Sequence, residues 1–113
     1  MFIKIKSGNK TISKKAKIIS DVNEQAIGLM FYKSGDIVMD IGKESIWSTA
    51  IHTWFCKPMF VIWLDKNKKV VDFVYAKPWR IYSPKKLAQY VFETTGKKPE
   101  IKIGQKLTFV NSK

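Results

Sequence analysis

Arginine is almost missing from this chain: Arg80 stands alone beside twenty lysines. Bidentate recognition of guanine or of a carboxylate draws on arginine's planar fork, so the basic charge suits loose association with polyanions better than base-specific readout. Cysteine is as scarce. Cys56 alone excludes an internal disulfide and a multi-cysteine zinc site, and fits a reducing compartment. Histidine occurs once, at His52. One histidine and one cysteine cannot supply the usual nitrogen and sulfur coordination without carboxylates, so neither a metal nor a cofactor is expected. No glycine loop of the phosphate-cradling kind, nucleophile elbow or zinc motif occurs. Long apolar runs are missing too. The longest, Met59 to Leu64, falls far below the roughly 18 residues that cross a bilayer. The N-terminal Met1-Phe2-Ile3-Lys4-Ile5-Lys6 alternates apolar and charged residues, unlike a secretory signal. A mature cytoplasmic protein with no membrane partner is the expectation.

What is present is apolar material and positive charge. With 113 residues, 45% hydrophobic and 13% aromatic, the chain has the size of one domain, 1–113, and enough apolar surface to offset the entropy of ordering it. The formal charge is +12, and six lysines precede the first carboxylate, Asp21. A field of that sign attracts phosphate polymers, anionic membranes or acidic partners. Fourteen isoleucines beside the twenty lysines offer a plainer origin in compositional bias.

The pattern predicts a mainly β, β-rich α+β chain: a compact antiparallel β-barrel or sandwich with one or two short helices. Phe2 to Lys6 alternates as a half-buried strand, and Ser7-Gly8-Asn9-Lys10 turns it into a second strand over Thr11 to Ile19. Asp21 with Glu24 three residues on resembles a capping box, and Val22, Ala26, Leu29 and Met30 fall at helical spacing; Ser34-Gly35-Asp36 ends that helix. Asp36 to Ile41 reads as a strand with Gly42-Lys43-Glu44 as its turn. Ile46 to Leu64 holds one or two strands broken by Pro58. Met59 to Leu64 is apolar on both faces, as in a central strand, and pairs as a hairpin with Val70 to Tyr75, which would place Val71, Phe73 and Tyr75 on one face. Ser83-Pro84 can open a helix, although a single turn followed by a strand over Leu87 to Thr94 fits better. Ile101, Ile103, Leu107 and Phe109 supply closing β segments around Gly104.

The order of these features resembles the bacterial and archaeal family known as domain of unknown function 192, over roughly Ser20 to Val110. The resemblance is carried by Gly28-Leu29-Met30, Ile51-His52-Thr53-Trp54-Phe55, Pro58 ahead of the strand ending Leu64-Asp65, and Val70-Val71. It continues through Lys77-Pro78-Trp79-Arg80, Tyr82 and Ala88-Gln89-Tyr90-Val91-Phe92-Glu93 to Gly96 and Gly104. It implies a mainly antiparallel β scaffold and no particular activity. The family usually places an aspartate two positions after the proline, where this chain has Phe60.

Few residues can carry chemistry. His52 titrates near neutral pH and suits general acid or base work, although a lone histidine is commonly satisfied by a backbone carbonyl. Cys56 is four residues from it. In an extended segment that separation is about 13 Å, so the two cannot form a thiolate–imidazole pair, and a buried cysteine serves as a small hydrophobe. Trp79-Arg80 in a loop can stack on a flat ligand and clamp a carboxylate or phosphate, with Tyr75 and Tyr82 flanking; otherwise Arg80 pins its loop by an ion pair. Asp65 fits the tip of a hairpin as a turn organiser. Asp72 and Glu93 would matter as a carboxylate pair only if they face each other.

Three functions follow from these residues. The first is a small non-enzymatic binding domain for a small ligand or a partner protein, using His52, Thr53, Trp79, Arg80 and Tyr82. The second is sequence-tolerant nucleic-acid binding through a lysine-rich N-terminal strand, using Lys4, Lys6, Lys14, Lys15 and Lys17. The third is a small enzyme in which His52 and Arg80 converge with a carboxylate.

Overall fold

A computed structural model describes residues 2–20, 36–52 and 58–111, His52 by its backbone alone. The regular elements among the described residues are all strands: β1 (Phe2–Ser7), β2 (Lys10–Ile19), β3 (Asp36–Ser45), β4 (Ile51–His52), β5 (Met59–Leu64), β6 (Val70–Ala76), β7 (Ile81–Tyr82), β8 (Ala88–Thr94) and β9 (Thr108–Asn111). Seven form one sheet in the order β6-β5-β8-β3-β2-β1-β9, and β4 with β7 forms a separate ribbon. The mainly β expectation holds. The helix expected over Asp21 to Met30 and its Ser34-Gly35 end lie outside the described residues, as do Thr53, Trp54, Phe55 and Cys56. No described helix is long and apolar enough to cross a membrane.

Local chemistry explains the two hairpins. Gly8 sits at φ +58° at the first central position of the two-residue loop joining Ser7 to its partner Lys10. That conformation matches the right-handed twist of the flanking strands and costs glycine little. The β5–β6 hairpin closes on Asp65, whose Oδ1 accepts from the backbone N–H of Asn67 (2.8 Å) and of Lys69 (2.9 Å), the turn-organising role expected of it.

β5 is buried on both faces. On the inner face, Ile62, Leu64, Val38 and Phe92 pack with Ile3, Ile5, Val70 and Leu107. On the outer face, Val61, Trp63, Ile37 and Val91 pack with Met59, Ile19, Ala76 and Ala88, joined by Ile51 and Tyr82 from the ribbon. Each such side chain, fully buried, contributes on the order of 2 kcal/mol. The sheet curls into a half-barrel and its two edges meet at one end. Val70 N–H donates to the Gln105 carbonyl, and Leu107 N–H to that of Lys68, each at 2.9 Å. Inner-face residues thereby become an enclosed core.

Several expectations need correction. β2 and β3 run parallel, with Lys17 opposite Ile37 and Ile19 opposite Met39, so the sheet is not purely antiparallel. A parallel pair is not made by a tight hairpin, which is why local turn signals could not reveal it. Gly42-Lys43-Glu44 is not a turn: β3 continues through it to Ser45, and the register against β8 jumps from Asp40–Tyr90 to Ser45–Ala88, an insertion that Gly42 accommodates at φ +85°. Val71 does not share a face with Phe73 and Tyr75. A register shift beside Leu64 makes it the extra residue and turns it to the outer cluster. The preferred reading after Ser83-Pro84 holds: no helix opens there, and a bend leads into β8 over Ala88–Thr94.

Candidate functional site

The β4–β7 ribbon gathers the residues singled out in sequence. His52 stands opposite Ile81 and Ile51 opposite Tyr82. The backbone of His52 is therefore placed against the residue between Arg80 and Tyr82, from a position about thirty residues away along the chain. Of the five expected ligand contacts, Tyr82 and the backbone of His52 lie on the ribbon, and Arg80, with Trp79 before it, leads directly into β7; Thr53 lies outside the described residues. Tyr82 turns inward, partly buried against the outer-face core, and its hydroxyl accepts a hydrogen bond from the Lys77 backbone N–H at 2.9 Å. That bond spans the Lys77-Pro78-Trp79-Arg80 loop and fixes its ends.

Trp79 takes φ +64°, left-handed backbone that is uncommon for any residue with a Cβ and concentrates at functional loops. Trp79 is 65% exposed, and Ile81 close by is 71% exposed. Arg80 is exposed, and both it and Trp79 hold further contacts with neighbours. The loop thus presents an indole, a guanidinium and an aliphatic side chain to solvent.

A second exposed indole went unnoticed in sequence. Trp47 is 84% exposed on the loop between β3 and β4. Thr49 Oγ1 donates to the Ser45 carbonyl (2.6 Å), and Ser48 N–H donates to Ser45 Oγ (3.0 Å). The buried Trp63 indole N–H donates to the Thr49 carbonyl at 2.8 Å. Because β4 and β7 are antiparallel, Trp47 belongs to the opposite end of the ribbon from Trp79, on the loop that leaves β3 where Ser45 stands opposite Ala88. The signal available in sequence was an indole between serines, which also fits an ordinary turn.

Glu93 is the other residue whose environment sequence could not supply. It lies on β8 between Ile37 of β3 and Val61 of β5. It is 4% exposed, and burial pushes its carboxyl from the usual 4.5 up to about 8. It does not face Asp72, which is two strands away opposite Trp63. Asp72 instead accepts backbone N–H bonds from Phe73 (2.9 Å) and Lys85 (3.0 Å), tying down the loop before β8. The carboxylate pair does not exist. Among the described residues no three His, Cys, Asp or Glu side chains group closely enough to hold a metal ion.

The five lysines expected to meet nucleic acid fall on two strands, Lys4 and Lys6 on β1 and Lys14, Lys15 and Lys17 on β2. Lys4, Lys14 and Lys15 are exposed, while Lys6 and Lys17 are half-buried. Their two strands lie towards the β9 end of the sheet, away from β5 and β6.

With this geometry in place, the relatives can be set beside it. No family model matches the chain. The UPF0127 protein of Thermococcus kodakarensis is 39% identical over 82 residues, which are 70% of this chain and 52% of that protein. The UPF0127 protein of Pyrococcus abyssi is 38% identical over 81 residues, 70% of this chain and 69% of the relative. The chain belongs to the UPF0127 family. It spans about half the length of the Thermococcus kodakarensis relative. Among solved structures, a candidate transcription regulator from Sinorhizobium meliloti 1021 superposes with a TM-score of 0.80 at 13% identity, covering 96% of this chain and 94% of the other. A protein of unknown function from Novosphingobium aromaticivorans DSM 12444 gives 0.77 at 16% identity, covering 96% and 84%. At such identities the likeness carries the fold alone.

Proposed function

We propose that this protein is a small, single-domain, non-enzymatic binding protein whose recognition element is the β4–β7 ribbon. The ligand is a small molecule, or an exposed group of a partner protein, that joins a flat ring to a carboxylate or phosphate. The observation that supports this reading is the pairing of His52 with Ile81 beside Trp79 and Arg80, with Trp79 held in left-handed backbone. An indole stacks on a flat ring, and a guanidinium forks onto an acidic group in a way that none of the lysines can reproduce. Membership of domain of unknown function 192 belongs to the same reading, supported by the run of residues from Gly28 to Gly104 set out above.

The test is a ligand-observed NMR screen of aromatic carboxylates and nucleoside phosphates against the wild-type chain, repeated on Arg80→Lys and Trp79→Ala. The expected result is a subset of binders lost in both variants. Lysine retains the charge, so binding unchanged in Arg80→Lys would remove the fork from the mechanism. A screen with no binder at all would count against the ribbon as a small-ligand site.

A further inference from the structure

On the outer face, Ile51 and Tyr82 of the ribbon pack against a cluster drawn from β3, β8, β5 and β6 and from Ile19 at the end of β2. Among the described residues, the remainder of β2 with β1 and β9 presents a different surface. Ile3 and Ile5 point into the core with Ala16, so the alternate positions Phe2, Lys4 and Lys17 point outward, with Val110 of β9 opposite Lys4 and Lys17 opposite Phe2. Phe2 and Val110 are 41% and 43% exposed.

The pairing of β1 with β2 concentrates charge here. Ile3 pairs with Ala16 and Ile5 with Ser13, so Lys4 alone stands against both Lys14 and Lys15. Like charges placed opposite one another across strands oppose pairing, and a bulge that sets two lysines against a third intensifies the effect. Carboxylates do not relieve it: among the described residues none of Lys4, Lys14, Lys15 and Lys17 forms a salt bridge. The row containing Lys17 continues through Ile37 to Glu93, about 10 Å away across two strand spacings, and burial keeps Glu93 protonated at neutral pH. Lys15 instead places its Nζ 4.5 Å above the Phe2 ring. The repulsion has no counterpart within the described fold, and an added polyanion would remove it.

We infer that this outer face of β1 and β2 binds single-stranded nucleic acid without sequence preference, Lys4, Lys14, Lys15 and Lys17 meeting successive phosphates and Phe2 offering its ring to a base. An exposed aromatic among lysines on an open sheet face joins the two contacts that single strands require, stacking and backbone charge. The Lys15 ammonium that covers the Phe2 ring in the free protein is displaced by the base and released to a phosphate. Lysine contacts neutralise phosphates without reading base edges, hence the tolerance of sequence. This surface is separate from the ribbon and stands or falls independently of it.

The experiment is fluorescence anisotropy of a labelled oligo(dT) with the full chain across a salt series. Four phosphate contacts on a single strand give a log–log slope of about −3, or roughly fiftyfold weaker binding at about 200 mM than at about 50 mM salt. Replacing both Lys4 and Lys15 by Gln should reduce that slope by about 1.4. Phe2→Leu, which keeps an apolar side chain but removes the π face, should weaken binding about fivefold and leave the slope unchanged. Arg80→Ala should have no effect. Absence of binding at low salt, a slope unmoved by the lysine pair, or loss of binding in Arg80→Ala would overturn the inference. So would binding to phosphatidylserine vesicles with no binding to the oligonucleotide, which would reassign the face to anionic membrane.

Discussion

Glu93 stands directly opposite Val61, with Ile37 on its other side, so a carboxyl group is set into a row of aliphatic side chains in the middle of the sheet. Desolvation is the whole cause of its raised pKa of about 8, which makes it a neutral acid at physiological pH. Below about pH 4.5 the folded and unfolded chains both hold this proton, and its burial costs least. Between about pH 4.5 and about pH 8 the unfolded chain releases the proton while the folded one keeps it, so stability falls by up to about 1.4 kcal/mol per pH unit. The accumulated loss above pH 8 is roughly 5 kcal/mol. Glu93→Gln keeps the shape and carries no charge. Urea denaturation should find the variant similar to wild type near pH 5 and more stable near pH 8. Parallel pH profiles for the two proteins would refute the assignment of Glu93 as the titrating group.

The indole N–H of Trp63 and the carbonyl of Thr49 form the bond that anchors the loop bearing Trp47 to the core. In Trp63→Phe the ring plane is largely retained but the donor is gone, leaving a carbonyl unsatisfied beside a small void. The expected cost is about 2–4 kcal/mol, the sum of an orphaned acceptor and lost packing. Thr49→Val removes only the hydroxyl that bonds the Ser45 carbonyl and should cost about 1 kcal/mol. Amide hydrogen exchange separates a local from a global effect: both variants should speed exchange at Ser48 and Ala50 more than at β5. Uniform acceleration would show that the bond supports the whole sheet.

The parts of this fold that could be read from sequence are those encoded by neighbours. The β5–β6 hairpin announces itself by an apolar run, Asp65 at its tip and a returning β-branched strand, and β1–β2 by alternation about Gly8. What escaped depends on pairings between distant segments. Nothing local specifies that Ile37 lies beside Lys17 in a parallel ladder, and that pairing sets the row which runs on to Glu93. Val71 escaped because one inserted residue reverses a face, and alternation counts residues without seeing insertions. The ribbon was half visible: Arg80 and Trp79 drew interest from their types and His52 from its rarity, but only the Ile51–Tyr82 register joins them. Trp47 carried too little pattern to separate an exposed anchor from a turn.

Trp79 offers a test of whether the ribbon loop trades stability for recognition. At φ +64°, any residue with a Cβ costs roughly 1 kcal/mol that glycine avoids. Comparing Trp79→Gly with Trp79→Ala isolates this cost, because both variants discard the indole and all its contacts. Elsewhere glycine is the less stable member of such a pair, since its unfolded chain has more freedom to lose. Here the order should reverse, with Trp79→Gly more stable than Trp79→Ala by about 1 kcal/mol in denaturant melts. Both should lose whatever ligand the screen identifies. If alanine proves the more stable, the left-handed backbone is not enforced in solution, and the exposed indole loses its claim to being held in place for binding.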